Sequence, residues 1–147
     1  MKYLLIIMLP VVMVGCNSES NLTPVDDFVE NFIVGESAPN YENLEHYVEI
    51  EDSKSEQIKE MIKLYVEDYR NELRSVKNYE IITDRELSNK HSFENNIVYE
   101  PRENIRYLVV DGKVKMFFIV NEGKIISFFA NHQKHAKNEL YPVILSE

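Results

Sequence analysis

The chain has 147 residues, 44% of them hydrophobic and 28% charged, which excludes wholesale disorder, collagen-like repeats and a multi-span membrane protein and suits a single globular domain. Asp and Glu outnumber Lys and Arg by 25 to 16, for a formal net charge of −9. Nucleic acid is a poor partner for such a chain, because phosphate binding needs clustered cations.

Residues 1 to 16 open with one cation, Lys2, followed by an apolar run from Tyr3 to Val14, then Gly15 and Cys16. That is the layout of a signal peptide. The run is shorter than the roughly 20 residues that cross a bilayer as a helix, and Pro10 interrupts it. Its end, Val12-Met13-Val14-Gly15-Cys16, resembles the lipobox of bacterial lipoproteins, with Met13 where leucine is usual. The resemblance implies removal of residues 1–15 and a diacylglycerol on the Cys16 thiol, so the membrane becomes a partner through that lipid. It also implies a cell-envelope location. In a Gram-negative cell Asn17, not being the aspartate of inner-membrane retention, points to the outer membrane facing the periplasm. In a Gram-positive cell the same leader means the outer face of the plasma membrane. Loss of the leader, Lys2 included, leaves 132 residues carrying about −10. Cys16 is the only cysteine, so no intramolecular disulfide staples the fold.

Residues 16–22 read as a lipidated tether, since Asn17 to Leu22 is polar and aperiodic, and residues 23–147 as one α+β domain. Thr23-Pro24-Val25-Asp26 supplies an N-cap, a proline for the first turn and an acid facing the helix dipole. Val25, Phe28, Val29, Phe32 and Ile33 share one face, and Gly35 offers a stop, which predicts a helix over 24–34. Tyr41, Leu44, Tyr47 and Val48 suggest a short second helix over 40–50. Ser53-Lys54-Ser55-Glu56 is a capping-box pattern, and Ile58, Met61, Ile62, Tyr65, Tyr69, Leu73 and Val76 continue one apolar face beyond it.

From Asn78 onward the period shortens to strand-like runs: Tyr79–Thr83, Ile97–Tyr99, Ile105–Val110, Val114–Val120 and Ile125–Ala130. Asp111-Gly112 predicts a two-residue hairpin and Asn121-Glu122-Gly123 a three-residue one, so the last three strands form an antiparallel meander. Helices before a meander argue for an α+β fold, the N-terminal helices packed on one face of the C-terminal sheet. On this register Ile105, Tyr107, Val109, Val114, Met116, Phe118 and Val120, joined by Ile126, Phe128 and Ala130, meet the helices. Leu108, Phe117, Ile119, Ile125 and Phe129 then point the other way, making a second face too apolar for water. Either the tail, Leu140 to Leu145, or the second helical segment covers it, or a partner or ligand does. Pro142 confines any tail strand to an edge.

Residues 17–53 hold ten acids and neither Lys nor Arg, and residues 17–80 hold 16 acids against 6 bases. The plain reading is a wet surface; the functional one is steering of a basic protein by Asp26, Asp27, Glu49 and Glu51 toward contacts on Phe117, Ile119, Ile125 and Phe129. No acid pair sits in a calcium loop, and His132 and His135, at i and i+3, lack a third ligand, so no metal is expected. The three glycines outside the leader make no phosphate loop, no serine occupies a GxSxG elbow, and no cofactor is expected.

Helices followed by a long meander resemble, over about residues 24–130, the nuclear-transport-factor-like cone fold and cystatin-like domains. The resemblance is one of topology, carries no motif and transfers no catalytic residue. It implies a curved, cone-like sheet that can hold a small ligand. The expected function is a non-enzymatic lipoprotein binding a macromolecule, one version being an immunity protein against a basic toxin. The alternative is a small-ligand-binding or enzymatic domain whose pocket is lined by Tyr65, Tyr69 and Tyr107.

Overall fold

A computed structural model describes residues 23–91, 93, 95–132 and 138–146. The segments expected to be a leader and a tether, Cys16 among them, and His135 lie outside the described residues. Among the described residues no helix is long and apolar enough to cross a membrane.

The first helix, α1, spans Pro24–Phe28, where the Thr23 side chain accepts from the Asp26 amide and the Asp26 carboxylate accepts from the Thr23 amide, closing a capping box. It runs on as a π-helix, Val29–Val34. The wider π turn lets Val29 and Val34, five residues apart, face the core together, so this segment buries Val25, Phe28, Val29, Phe32, Ile33 and Val34. Residues 40–50 are not an α-helix as expected. They form a 3-10 helix, Tyr41–His46, capped by the Asn40 side chain, and then Val48 bridges Ile125 in parallel.

The long helix α2 covers Ser55–Leu73, entered through a 3-10 turn at Asp52–Lys54. Its inward residues are Ile62, Val66, Arg70 and Leu73, while Tyr65 of the expected stripe is 40% exposed. The buried Arg70 guanidinium donates to the carbonyls of Phe32 at 3.3 Å and Ser37 at 2.9 Å, satisfying backbone acceptors where the π-helix runs out.

Four antiparallel strands, β1 (Tyr79–Thr83), β3 (Ile105–Val110), β4 (Lys113–Asn121) and β5 (Lys124–Ser127), form a sheet in the order β1-β3-β4-β5. Between β1 and β3 the chain makes a short helix, α3 (Asp84–Lys90), and a two-residue strand, β2 (Asn96–Ile97). The chain ends in β6 (Ala130–His132) and β7 (Glu139–Pro142), which join β2 in a small sheet ordered β2-β7-β6.

The fold is α+β, with helices in the N-terminal half and the sheet in the C-terminal half. The faces of that sheet differ from expectation for two reasons. Both hairpin turns have two residues, Asp111-Gly112 and Glu122-Gly123, all four with positive φ, rather than three in the second. In addition, β4 and β5 each carry an extra residue. Val109 pairs with Val114 but Leu108 with Met116, leaving Lys115 over; Val120 pairs with Ile125 but Ile119 with Ser127, leaving Ile126 over.

Each bulge reverses which face the following side chains occupy. Met116, Phe118, Val120 and Phe128 meet the helices as expected, now with Leu108, Val110 and Ile125. Ile105, Tyr107, Val109, Val114, Ile126 and Ala130 belong instead to a second core with Phe117 and Ile119. That core is closed by the chain itself, through Leu87 of α3, Ile97 of β2, and Leu140 and Ile144 of the tail. Against expectation β7 is the middle strand of its sheet. Pro142 is tolerated because β2 pairs only with Glu139 and Leu140, so the proline lies beyond it.

Candidate interaction surface

The described part of the acid-only stretch folds into α1, the π-helix and the 3-10 segment, whose apolar residues pack into the molecule's first core. Asp26 is engaged in the α1 cap, and Glu30 accepts from the Tyr79 hydroxyl at 2.8 Å. Burial and this carboxylate push the Tyr79 phenol up to about 12. Glu45 pairs with Lys59 at 2.6 Å, which holds its carboxyl below the usual range, and Glu51 pairs with Lys54 at 3.1 Å. Among the described residues Asp27, Glu36, Glu42, Glu49 and Asp52 form no ion pair.

Glu30, Gly35 and Glu36 make a ridge with a groove on either side. One groove, about 370 Å³, is walled by Asn31, Asn40, Asn43 and Tyr47. The other, about 560 Å³, is walled by Asp26, Val34, Lys77, Tyr79 and Ile81. Of the four acids expected to steer a partner, Asp26 lines the larger groove. Asp27 follows it on α1 without lining either, and Glu49 and Glu51 lie beside β5, where the Glu49 amide donates to Ile125.

Phe117, Ile119, Ile125 and Phe129 do not form the single outward face expected of them. They are 7%, 0%, 0% and 6% exposed, and the short second turn and the bulges divide them, Phe117 and Ile119 in the second core, Ile125 and Phe129 in the first. The three tyrosines of the alternative pocket are separated as well. Tyr65 and Tyr69 line an aromatic groove of about 270 Å³, with Tyr65 stacked on Phe129 at 4.8 Å. Tyr107 lies on the opposite side of the sheet, 1% exposed, donating to Asp84 at 2.9 Å, and its phenol is raised well above the ordinary value by burial and then by that bond.

Asp84 also takes both Nε and Nη2 of Arg102, at 3.1 and 2.5 Å, while Nη1 donates to Asn96 Oδ1 and the Ile97 carbonyl. This cluster borders a hollow of about 230 Å³ and answers its own hydrogen-bonding needs, tying α3 to β2 and β3. Sequence reasoning missed it, although Thr83-Asp84-Arg85-Glu86 is itself a capping-box pattern that announces α3. Among the described residues no group of three His, Cys, Asp or Glu is placed to hold a metal ion. Comparison with protein-family models, curated proteins and solved structures finds no match to the chain.

Proposed function

We propose that this chain is a non-enzymatic, envelope-anchored protein, tethered by lipid on Cys16, that binds a basic macromolecular partner through its acidic N-terminal flank. Neutralising a cationic antibacterial toxin, as an immunity protein does, is one form of that activity. The observation that supports the reading is the set of acids, Asp27, Glu36, Glu42, Glu49 and Asp52, that form no ion pair among the described residues, with Glu36 on the ridge between the two grooves. Surface carboxylates of one sign without ion pairs repel each other, and a cationic surface relieves that repulsion on docking. Phe117, Ile119, Ile125 and Phe129 are buried, so the acids support this reading and an apolar contact does not.

Replacing Asp27, Glu36 and Glu49 together by Lys should abolish salt-sensitive capture of partners from envelope and secreted fractions while leaving the circular dichroism spectrum unchanged. Equal capture by the reversed protein refutes the reading. Cys16→Ser should release the chain from membranes, and continued tight attachment refutes the anchor. A second reading, a small-ligand pocket, draws on the groove of Tyr65 and Tyr69, whose volume of about 270 Å³ lies below the roughly 300 Å³ at which ligand pockets usually begin.

A further inference from the structure

The two edges of the four-stranded sheet are finished differently. Along β5 the edge is covered: Ile125 donates to the Tyr47 carbonyl, Glu49 donates to Ile125, and Leu145 donates to Ile126. β1 carries no bulge, proline or lysine, and among the described residues no backbone group outside its own sheet bonds to Tyr79–Thr83. Natural sheets usually blunt an edge by one of these devices, because a row of open N–H and C=O groups is a template for another strand.

The alternation of bonds along β1 follows from the turn. Val110 faces Lys113 across a two-residue hairpin, so its backbone groups point to β4, and Tyr79 opposite it directs its own toward the open edge. The same parity sends the groups of Ile81 and Thr83 outward. The Thr83 amide accordingly bonds outside the sheet, to the Glu86 carboxylate at 2.8 Å. Tyr79 and Ile81 therefore offer two donors and two acceptors. Their side chains also line the larger acidic groove, together with Asp26, Glu30, Glu36 and one cation, Lys77.

We propose that β1 takes an additional strand from the basic partner, with lysine or arginine at alternate positions entering the groove of Asp26, Glu30 and Glu36. The inference rests on the proposed function and adds its geometry. In β-strand addition the main chain supplies affinity and alternate side chains supply specificity. Residues opposite Tyr79 and Ile81 share their face, so they meet the groove. A lysine or arginine stem lies over Val34 and Ile81 while its head reaches the carboxylates. The intervening residues face Glu80 and His91 on the other side, themselves bonded at 3.1 Å, and need no charge.

The test uses the full chain, isotopically labelled in detergent micelles, and a blocked peptide of alternating lysine and valine. Added peptide should shift the amide resonances of Tyr79 and Ile81 and slow their hydrogen exchange. N-methylating every second peptide residue in one phase should weaken binding about tenfold or more, and in the other phase should leave it unchanged. Glu30→Lys combined with Glu36→Lys should remove the salt dependence. Absence of binding, equal effects of the two methylation phases, or a peptide-free dimer that already protects Tyr79 and Ile81 would each overturn the docking of a basic strand. Salt-sensitive but phase-independent binding would do so while leaving the acidic flank as the partner surface, whereas undiminished capture by the charge-reversed flank removes that surface itself.

Discussion

Gly35 carries a constraint that its ordinary backbone angles hide. A Cβ built there lies 2.4 Å from the Glu30 carbonyl oxygen, inside the π-helix, so the neighbour that must yield is backbone and not a pliable side chain. Gly35→Ala should lower stability by about 1–3 kcal/mol in urea unfolding, the range for forced contacts in packed regions, and an unchanged midpoint would show that the turn has slack. Tyr79 supplies a second test on the same flank. Its folded phenol is raised from 10.0 to about 12, so the stability tied to its proton is complete below pH 10 and is lost as the pH climbs toward about 12. Tyr79→Phe should flatten the alkaline arm of the pH–stability curve between those values, and should remove one late component from the ultraviolet titration of tyrosinate. The glycine was legible as a helix stop, because its position after a periodic run says so. Its contact with Glu30 was not, since that depends on a π turn that side-chain periodicity does not announce.

At the level of elements, propensity and pattern located what is regular and failed where the chain departs from regularity by one residue. α2, β1, β3 and the first hairpin were legible because stripes of period 3.6 or 2 and a two-residue Asp-Gly turn act locally. Lys115 and Ile126 were not, since a bulge adds a residue without changing the alternation around it, yet the one at Lys115 reassigned Ile105, Tyr107, Leu108 and Val109 between the two faces. The acidic flank was visible in composition, while its grooves and the open edge of β1 depend on long-range pairing. α3 was overlooked for a simpler reason: a seven-residue helix is too short to show a stripe, and only its cap marks it. That cap is testable. The Thr83 hydroxyl accepts from the Glu86 amide and donates to the Glu86 carboxylate, and Asp84 in the same first turn holds Arg102 and Tyr107. Thr83→Ala should cost about 1 kcal/mol and Thr83→Ser much less, measured by chemical unfolding. Equal losses would assign the effect to the methyl group instead of the cap.

For the whole molecule, the sheet is the shared wall of two cores, and this makes the domain one cooperative unit. Alternate residues of a single strand enter opposite cores, as Tyr107 and Val109 do against Leu108 and Val110, so neither core can loosen without disturbing the strand that holds the other. The tail reinforces the coupling. Leu145 is 2% exposed in the first core, its amide donates to Ile126 and its carbonyl accepts from Glu51, while Ile144 beside it packs against the second core. Leu145→Ala removes buried methyl groups at that junction and should cost about 2–5 kcal/mol, the range for such truncations. If the sheet couples the cores, secondary structure followed by far-ultraviolet circular dichroism and tertiary packing followed by the near-ultraviolet tyrosine signal will fall in one coincident transition, in the parent and in Leu145→Ala alike. Separate transitions would mean that the face built by α3, β2 and the tail melts independently. The strand β1 that borders the acidic groove would then lose α3 behind it before the helices on its other face let go.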